Sequence, residues 1–380
     1  MKIIIAPDSY KGCMSAVKVA AFMEEGVLKA LSNPEIIKIP VADGGEGTVS
    51  AMITGAGGRL VHTKATGPLR NEIDSFYGIL ADGKTAVIEM AAASGLNLVP
   101  ENHRNPLNTT TFGTGELILA ALDEGCSKII IGVGGSATTD CGMGMAQALG
   151  VVFYDSERKP LSYGGRFMND VKFYDDIGID PRIRKTNIRV ACDVTNPLYG
   201  KRGAAYVYSA QKGASLRQIR HLDDGLRNIA SVIDELSGLD ISVIPGSGAA
   251  GGLAGGLMAF AGAKLAKGID IVTDTCNFNT KLKGASLVLT GEGNTDYQTA
   301  FGKVPAGIAS IASRLSVPVI CISGSLGKGY QDVYEMGVDA VFSITPGPMT
   351  LEASIKDAGK NIVDTTYNVI KAFCNDPAVI

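Results

Sequence analysis

The sequence predicts an α/β fold of two domains, in which a mainly parallel, Rossmann-like sheet domain is interrupted by a second, mixed α/β domain. Short β-branched runs alternate with Gly- and Asp-containing loops and with amphipathic or Ala-rich segments, the pattern of βαβ units. Two of these runs, Ile129–Ile131 and Val319–Ile322, are wholly or almost wholly apolar, which is typical of strands covered on both faces. The region from about Leu60 to Glu89 instead alternates strand-like runs with turn signals, which predicts an antiparallel meander.

The strands and domains are placed from these patterns. The predicted strands that alternate with helices are, in chain order, Lys2–Ala6, Ile36–Val41, Lys128–Val133, Ile188–Cys192, Ser286–Thr290, Val317–Ile322 and Ala340–Ile344. The chain is expected to leave the parallel domain at the meander and to return near Lys283–Ser286. We therefore predict a discontinuous parallel domain of residues 1–60 and 285–380, and an inserted mixed domain of residues 61–284.

Composition narrows the class of protein. The 380 residues are 46% hydrophobic and 19% charged, which is enough apolar material for a sizeable core. The net charge is −3 and there is no Lys/Arg run, so nucleic acid is not an expected partner. Glycine is abundant at 48 residues, which predicts many sharp turns or close approaches of backbone to ligand.

Cysteine usage and hydropathy bear on the compartment. The seven cysteines are scattered and no CxxC occurs, so we expect no disulfide framework or zinc site but a reduced, cytoplasmic setting. The first apolar run is too short for a signal peptide. Residues Ile241–Ala263 carry no charge over 23 positions, but Pro245 and seven glycines favour a loop and an internal helix over a membrane span.

One nucleotide-binding motif is matched by letter but rejected by context. Residues Gly78–Thr85 fit the P-loop pattern GxxxxGK[ST]. A P-loop needs a strand before it and a helix after it, whose amides hold the phosphates. Here Asp82-Gly83 is a hairpin signal and Ala86–Met90 continues as a strand, so the match is interpreted as a turn.

A second motif, Gly246–Gly251, fits GxGxxG, with Asp270 near the position of a ribose-binding acid. Pro245 interrupts the run before it, so we favour a Gly-rich loop that opens a buried helix. The amides of such a loop could still bind an anion.

A stronger signal is collective. Loops after the strands of a parallel sheet converge on one crevice, and five of the loops here carry acids among small residues. These loops are Asp8–Gly12, Asp43–Thr48, Gly134–Asp140, Asp193–Pro197 and Gly291–Asp296, the last followed by Gln298 and Lys303. Phosphoryl transfer requires such groups: carboxylates for Mg²⁺ and for the proton of the attacking hydroxyl, lysine for phosphate charge, and small residues that admit phosphate oxygens to backbone amides.

These residues also give the chain a resemblance to the bacterial type-1 glycerate kinases. The matching runs extend over nearly the whole chain and are Ile5–Lys11, Val41–Thr48, Ile88–Leu96, Gly113–Ile118, Gly134–Thr138, Ala191–Leu198, Gln211–Ala214, Gly248–Gly252, Thr290–Gly293 and Gly302–Pro305. The resemblance implies ATP-dependent phosphorylation of D-glycerate with Mg²⁺ and an active site in a cleft between two domains. The product 2-phosphoglycerate is favoured over 3-phosphoglycerate, although the residues themselves do not separate the two.

The chain departs from the family pattern at a few positions. Thr139 stands where Asn is expected, Ser209 stands where Gly is expected, and Asn294 stands where Lys or Arg is usual. The change at Asn294 removes a positive charge near the expected site.

Candidate roles follow for individual residues. Asp193, Asp43 and Asp296 are candidates for the base and the metal ligands, Glu292 is a further metal candidate, and Lys11 and Lys303 would neutralise phosphoryl charge. Asp8 and Ser9 are candidate substrate-binding residues, and the substrate carboxylate needs a cation, which Arg70 or Lys212 could supply. The residues expected to hold phosphate or carboxylate through backbone amides are Gly134, Gly135, Ser136, Gly248, Gly251 and Gly291.

Two other functions are kept as alternatives. An NAD-dependent oxidoreductase of a hydroxy acid would rest on Gly246–Gly251, and it would need no ATP. A non-catalytic sensor of glycerate or nucleotide would bind without turnover, although the retained acids argue against it. We expect a small-molecule substrate and no membrane or nucleic-acid partner, and the sequence leaves the oligomeric state open.

Overall fold

The chain folds into two compact units in a computed structural model that describes residues 1–42 and 44–374. The first unit comprises Met1–Ala42, Ser50–Gly57 and residues 269–374, and the second comprises residues 44–49 and Gly58–Gly268. These divisions differ from the predicted domain boundaries mainly because the loop of residues 44–49 groups with the second unit, and because the chain returns to the first unit at residue 269 rather than 285.

The strands and helices are numbered in chain order. The strands of the described residues are β1 Lys2–Ile5, β2 Glu35–Lys38, β3 Gly58–Thr66, β4 Glu72–Leu80, β5 Thr85–Glu89, β6 Lys128–Gly132, β7 Val152–Tyr154, β8 Phe173–Asp175, β9 Asn187–Ala191, β10 Lys264–Ala266, β11 Leu287–Thr290, β12 Asn294–Thr295, β13 Val319–Ser323, β14 Ser325–Leu326 and β15 Ala340–Ser343. The α-helices are α1 Ala16–Ala30, α2 Thr48–Ala56, α3 Ala91–Ser94, α4 Phe112–Asp123, α5 Met143–Ala148, α6 Ala204–Tyr208, α7 Leu216–Ser237, α8 Leu253–Ala261, α9 Gly268–Thr275, α10 Phe278–Leu282, α11 Val304–Ala312, α12 Leu351–Lys356 and α13 Ala358–Cys374.

The first unit is built on a parallel sheet of five strands in the order β15-β13-β11-β1-β2. Its central strands are apolar and fully buried, as the continuous runs in the sequence predict for strands covered on both faces. Helices α1 and α13 pack closely at Gly26, where an added Cβ would come within 2.6 Å of the Thr366 Cβ. This sheet places the loops after β1 and β11 at its carboxyl edge.

The second unit is built on a mixed sheet of six strands in the order β10-β9-β6-β5-β4-β3. Strands β3, β4 and β5 are antiparallel neighbours, which confirms the predicted meander. Strands β5, β6, β9 and β10 are parallel, and their register aligns Glu89 with Gly132 and Gly132 with Ala191. The predicted α/β fold class is confirmed, since each predicted βαβ strand has a counterpart whose ends differ by a few residues.

The uncharged stretch Ile241–Ala263 is a loop followed by the buried helix α8, as predicted. Its glycines allow close packing: an added Cβ on Gly256 would lie 2.2 Å from the carbonyl oxygen of Cys141. In the part of the chain that the structure describes, no helix combines the length and the apolar character needed to cross a membrane.

Candidate active site

The carboxyl ends of three parallel strands in the second unit open onto one cavity. Strands β5, β6 and β9 end in register, and the loops that follow β6 and β9 line a cavity of about 420 Å³. Its lining residues are Gly45, Leu96, Val133, Gly134, Gly135, Ser136, Ala191, Cys192, Asp193, Val194, Tyr208, Gln211, Lys212, Ala249 and Ala250. The cavity thus brings together five of the predicted site residues: Gly134, Gly135, Ser136, Asp193 and, from a distant part of the chain, Lys212.

Lys212 is a buried lysine at the wall of this cavity, with only 2% of its surface exposed. Its Nζ donates to the Ser136 Oγ at 2.8 Å and to the Thr138 carbonyl oxygen at 2.6 Å. Burial lowers the pKa of Lys212 to about 7, and the carboxylate of Asp140 opposes that shift. The lysine therefore fixes the loop after β6 and titrates near neutral pH.

Asp140 is a buried acid whose charge acts on Lys212, and no individual role was predicted for it. Its carboxylate accepts from the amide and the hydroxyl of Thr111, both at 2.9 Å, and from the amides of Gly142 and Gly144. Burial raises the pKa of the Asp140 carboxyl, and these hydrogen bonds partly offset that rise. Asp140 therefore acts as a structural anchor beneath the loop, satisfied by donors other than the lysine.

The Gly-rich segment of residues 44–49 lies against the ends of β6 and β9. An added Cβ on Gly132 would come within 2.3 Å of the Gly44 carbonyl oxygen, which accepts from the Gly134 amide at 3.0 Å. An added Cβ on Gly44 would come within 2.8 Å of the Ala191 carbonyl oxygen. Only glycines permit this backbone contact, so the segment is held at a fixed position beside the cavity.

Glu89, the last residue of β5, fastens the same segment. Its carboxylate is 5% exposed and accepts from the Val49 amide at 2.8 Å and from the Gly47 amide. Burial raises the pKa of Glu89, and these two backbone donors oppose the rise. The sequence analysis missed this residue, because nothing local to a Glu at a strand end indicates a partner forty positions away.

Asp193 lies two residues after the end of β9 and lines the cavity, and its role as a catalytic carboxylate stays a prediction. Its side chain is exposed and its Oδ1 accepts from the Gly268 amide at 2.9 Å. Gln211, also exposed, lines the same cavity beside Lys212. The cavity therefore offers a carboxylate, an amide and a lysine to a polar ligand.

The glycines of the GxGxxG match serve packing more than ligand binding. The Gly248 amide donates to the Asn196 carbonyl oxygen at 3.1 Å, so it is not available to an anion. An added Cβ on Gly251 would lie 2.0 Å from the Thr138 carbonyl oxygen. In the described residues 238–248, between α7 and the 3₁₀ turn that leads into α8, there is no strand, which agrees with the interpretation as a loop before a buried helix.

Arg70 lies elsewhere in the second unit. It occupies the turn between β3 and β4 with a positive φ of 71°, and its guanidinium stands 5.2 Å from the centre of the Tyr163 ring. It also donates to the Tyr163 carbonyl oxygen. Of the two cations predicted for a substrate carboxylate, Lys212 lines the cavity and Arg70 is not among its lining residues.

The P-loop-like match is a hairpin, as predicted. The Asp82 carboxylate accepts from the amides of Lys84 and Thr85, both at 2.9 Å, in the turn between β4 and β5. The Lys84 side chain is exposed on this turn, and a strand rather than a helix follows it.

The loop after β1 in the first unit carries Asp8, Ser9 and Lys11. Asp8 is 8% exposed, and its Oδ1 accepts from the Ser9 amide at 2.6 Å and from the Ser9 hydroxyl at 3.2 Å. Lys11 is exposed. The Asp8 amide donates to the Gly291 carbonyl oxygen at 2.8 Å, which ties this loop to the one after β11.

Gly291 owes its identity to packing within that unit. An added Cβ there would lie 1.8 Å from the Ile322 carbonyl oxygen. The predicted role of Gly291 in holding phosphate is therefore accompanied by a steric requirement that is sufficient by itself to demand glycine.

The loop after β11 gathers two acids and a lysine. The Lys303 Nζ lies 3.8 Å from the Glu292 Oε2 and 3.8 Å from the Asp296 Oδ1. Glu292 is 6% exposed and accepts from the hydroxyls of Thr299 at 2.6 Å and Thr295 at 3.3 Å. Burial raises the pKa of the Glu292 carboxyl, against the effect of these donors and of Lys303. Three residues that the sequence predicts in and just after one loop are thus neighbours.

Three of the departures from the family pattern form hydrogen bonds. The Thr139 and Ser209 hydroxyls are buried 3.0 Å apart, so these two unexpected residues are partners of each other. Asn294 donates from Nδ2 to the Asp296 Oδ2 at 2.9 Å, which orients that carboxylate in place of the usual cation.

Asp43, the remaining candidate for base or metal ligand, lies outside the described residues. Within residues 1–42 and 44–374, no three His, Cys, Asp or Glu side chains are grouped so as to hold a metal ion. Any metal at Glu292 and Asp296 would therefore take the rest of its ligands from water and substrate, as is usual for Mg²⁺.

Comparisons with known proteins identify the family. The sequence profile of the glycerate kinase family matches residues 3–374. The chain is 46% identical over 367 residues to a glycerate kinase of Halalkalibacterium halodurans and 48% identical over 369 residues to glycerate 2-kinase of Escherichia coli K12, with 97% of each chain covered in both cases. A crystal structure from Salmonella typhimurium LT2, of a protein provisionally named glycerate kinase 2, superposes with a TM-score of 0.89 at 48% identity and 98% coverage of both chains. The chain therefore belongs to the glycerate kinase family, and it is an ATP-dependent kinase of a small molecule.

Proposed function

We propose that the enzyme transfers the γ-phosphoryl group of ATP to the 2-hydroxyl of D-glycerate, giving 2-phosphoglycerate in preference to 3-phosphoglycerate. The substrate class is supported by the names of several relatives, and the position of transfer by the relative named glycerate 2-kinase. The observation that carries the proposal is that a carboxylate, Asp193, and a buried lysine, Lys212, line one small cavity at the carboxyl edge of the mixed sheet.

In the proposed step Asp193 is the base. The attacking hydroxyl oxygen forms a bond to the γ-phosphorus while the bond from that phosphorus to the β–γ bridging oxygen breaks, so that ADP leaves. The hydroxyl proton passes to the Asp193 carboxylate, whose Oδ1 is oriented by the Gly268 amide. Asp43 stays an alternative candidate for this role.

The acids of the first unit are proposed for Mg²⁺. Glu292 and Asp296 supply the carboxylate oxygens that this ion prefers, and Lys303, 3.8 Å from both, offsets their charge. These two residues fit Mg²⁺, because both are acids within one short loop and the Glu292 carboxylate is already oriented by two hydroxyls. When bound, Mg²⁺ would neutralise charge on the ATP phosphates, and Lys303 and Lys11 would add to that effect.

Product identification tests the proposal. The enzyme is incubated with ATP, D-glycerate and Mg²⁺, and the products are followed by ³¹P and ¹³C NMR, which separate 2- from 3-phosphoglycerate. We expect ADP and 2-phosphoglycerate in equal amounts, and no product without Mg²⁺. ATP consumption that is the same with and without glycerate would contradict the proposal, and 3-phosphoglycerate alone would contradict its position of transfer.

The oxidoreductase alternative has little structural support. It depended on amides of the GxGxxG match, but the Gly248 amide is used by Asn196 and no strand leads into the loop. A reduction of NAD by glycerate, without ATP, would restore it.

A further inference from the structure

We propose that Gly135, Ser136 and Lys212 together form the site that holds the carboxylate of the acid substrate, and that this site does not hold the nucleotide phosphates. The inference rests on the proposed function for the identity of the acid. For the loop after β6, which the sequence predicts to hold phosphate or carboxylate, it selects the carboxylate.

Three hydrogen-bond donors at this site are available to a ligand. Lys212 has three N–H groups, and two of them are used by the Ser136 Oγ and the Thr138 carbonyl oxygen. The Ser136 hydroxyl accepts from Lys212 and therefore keeps its own hydrogen for a further acceptor. Among the described residues, the Gly135 amide donates no hydrogen bond. One N–H of lysine, one hydroxyl and one amide can thus serve the two oxygens of a carboxylate.

The charged side chains around the cavity favour a ligand that carries one negative charge. Lys212 is the one cation that lines the cavity among the described residues, and it is buried. Asp193 lines the same cavity, and Asp140 acts on Lys212 through its charge. A triphosphate carries three to four negative charges and would meet one lysine and two acids here. The loops after β1 and β11 in the first unit instead offer two exposed lysines, Lys11 and Lys303.

The size and the remaining lining groups suit a short hydroxy acid. A cavity of about 420 Å³ accommodates a three-carbon acid with water, and Gln211 and Asp193 line it together with Lys212. An acid whose carboxylate binds Lys212 would have its hydroxyls inside the same cavity as the proposed base. The chemical class of ligand is therefore a small 2-hydroxy acid that enters with its carboxylate inward.

Titration of Lys212 gives a specific readout. Only the charged lysine attracts a carboxylate, and burial lowers its pKa to about 7. The other titratable groups that face it are Asp140 and, around the cavity, Asp193, Cys192 and Tyr208. Burial raises the pKa of Cys192 and of Tyr208 above their ordinary values, so the loss of affinity above pH 7 is assigned to the lysine. We expect the dissociation constant of D-glycerate to rise about tenfold between pH 6 and pH 8.

The test is calorimetric titration of D-glycerate into the enzyme without nucleotide, at pH 6 and pH 8, with three variants. Lys212→Met keeps the apolar stem and should lower affinity at least ~100-fold and remove the pH dependence. Ser136→Ala should lower affinity about tenfold, and it serves as the second test should Lys212→Met fail to fold by circular dichroism. Lys84→Met, which removes an exposed lysine on the β4–β5 turn, is the matched control and should bind as the parent does. Where glycerate binds only after the nucleotide, the comparison is made on its KM at saturating ATP.

A second ligand separates carboxylate from phosphate. A non-hydrolysable ATP analogue should bind Lys212→Met and the parent equally, and glycerol, which lacks the carboxylate, should bind neither. Loss of the analogue's affinity with unchanged glycerate binding would overturn the inference and assign the site to phosphate. Lysine-dependent glycerate binding without phosphoglycerate formation would instead refute the proposed function and leave the inference standing. Turnover of the Lys212→Met variant with an unchanged KM for glycerate would refute the inference and leave the proposed function standing.

Discussion

Replacing Asp193 with Asn tests the proposed base with little disturbance of the fold. The Asp193 Oδ1 accepts from the Gly268 amide at 2.9 Å, and the amide oxygen of Asn can accept the same bond. The side chain is exposed, and Asn has nearly the same size and shape as Asp. The change therefore removes the proton acceptor and keeps the local hydrogen bond.

The magnitude follows from the role. A positioned base contributes about 100- to 10,000-fold to the rate, which corresponds to about 2.7–5.4 kcal/mol of transition-state stabilisation. We expect Asp193→Asn to lose at least ~100-fold in kcat, with the KM values of ATP and glycerate within about threefold of the parent and with the same melting temperature. Initial rates from a coupled ADP assay, measured across pH 5–9, provide these values.

The control is a similar acid outside the cavity. Asp240 is exposed and its Oδ1 accepts from the Ser242 amide at 2.9 Å, so Asp240→Asn makes the same chemical change at the same kind of contact. It should leave kcat within about twofold of the parent. If Asp193→Asn behaves like Asp240→Asn, Asp193 is a loop residue, the base lies elsewhere, and Asp43 becomes the first candidate.

Three further predictions concern the turn, the acid cluster and a glycine. Lys84→Ala should keep kcat within about threefold of the parent in the same assay, because its P-loop match is a hairpin; a loss of orders of magnitude would show a phosphate-binding lysine. Asp296→Asn should raise the Mg²⁺ concentration for half-maximal activity at least about tenfold, and an unchanged Mg²⁺ titration would exclude it as a ligand. Gly291→Ala should lower the free energy of unfolding by about 3 kcal/mol or more in denaturant titration, since its Cβ would lie 1.8 Å from a backbone oxygen, whereas Gly347→Ala, with open space, should be neutral; equal values would refute the steric account.

The elements that sequence reasoning predicted well are those fixed by local pattern. The apolar runs Ile129–Ile131 and Val319–Ile322 form buried parallel strands, because covering both faces of the sheet removes all of their apolar side chains from water. The hairpin at Asp82 was predictable for the same reason: Asp-Gly forms the turn through bonds between residues two and three apart.

What could not be predicted depends on contacts across long stretches of chain. Lys212 looks in the sequence like any lysine before a glycine, and its burial arises because its Nζ meets Ser136 and Thr138, more than seventy positions away. Glu89 meets Val49 across forty positions. That Asp193 and the Gly134–Ser136 loop lie at one cavity could be predicted, because the carboxyl ends of neighbouring parallel strands share one edge of the sheet.

The glycines show how one pattern of letters conceals different physical causes. Gly251 and Gly291 were both expected to bind phosphate, yet an added Cβ at either would collide with a carbonyl oxygen, at 2.0 Å and 1.8 Å. Gly135, by contrast, has a φ of 73° and only the Ala91 Cβ nearby, at 3.4 Å. Its conformation and not crowding requires glycine there, which leaves its amide next to open volume. Only the structure separates a glycine that makes room for protein from one that makes room for a ligand.

The burial of Lys212 is best explained by ligand binding, because it costs the fold stability. A shift of its pKa from 10.5 to about 7 means that the folded chain binds fewer protons than the unfolded chain between those values, so that stability rises with pH across this window. At pH 7 and below, the cost of keeping the lysine charged is on the order of 5 kcal/mol. A methionine would fill the same space without that cost, and Asp140 already has its hydrogen bonds from other donors. A buried cation whose charge costs the fold stability, beside a cavity that an anion could enter, is therefore more consistent with a binding group than with a purely structural one.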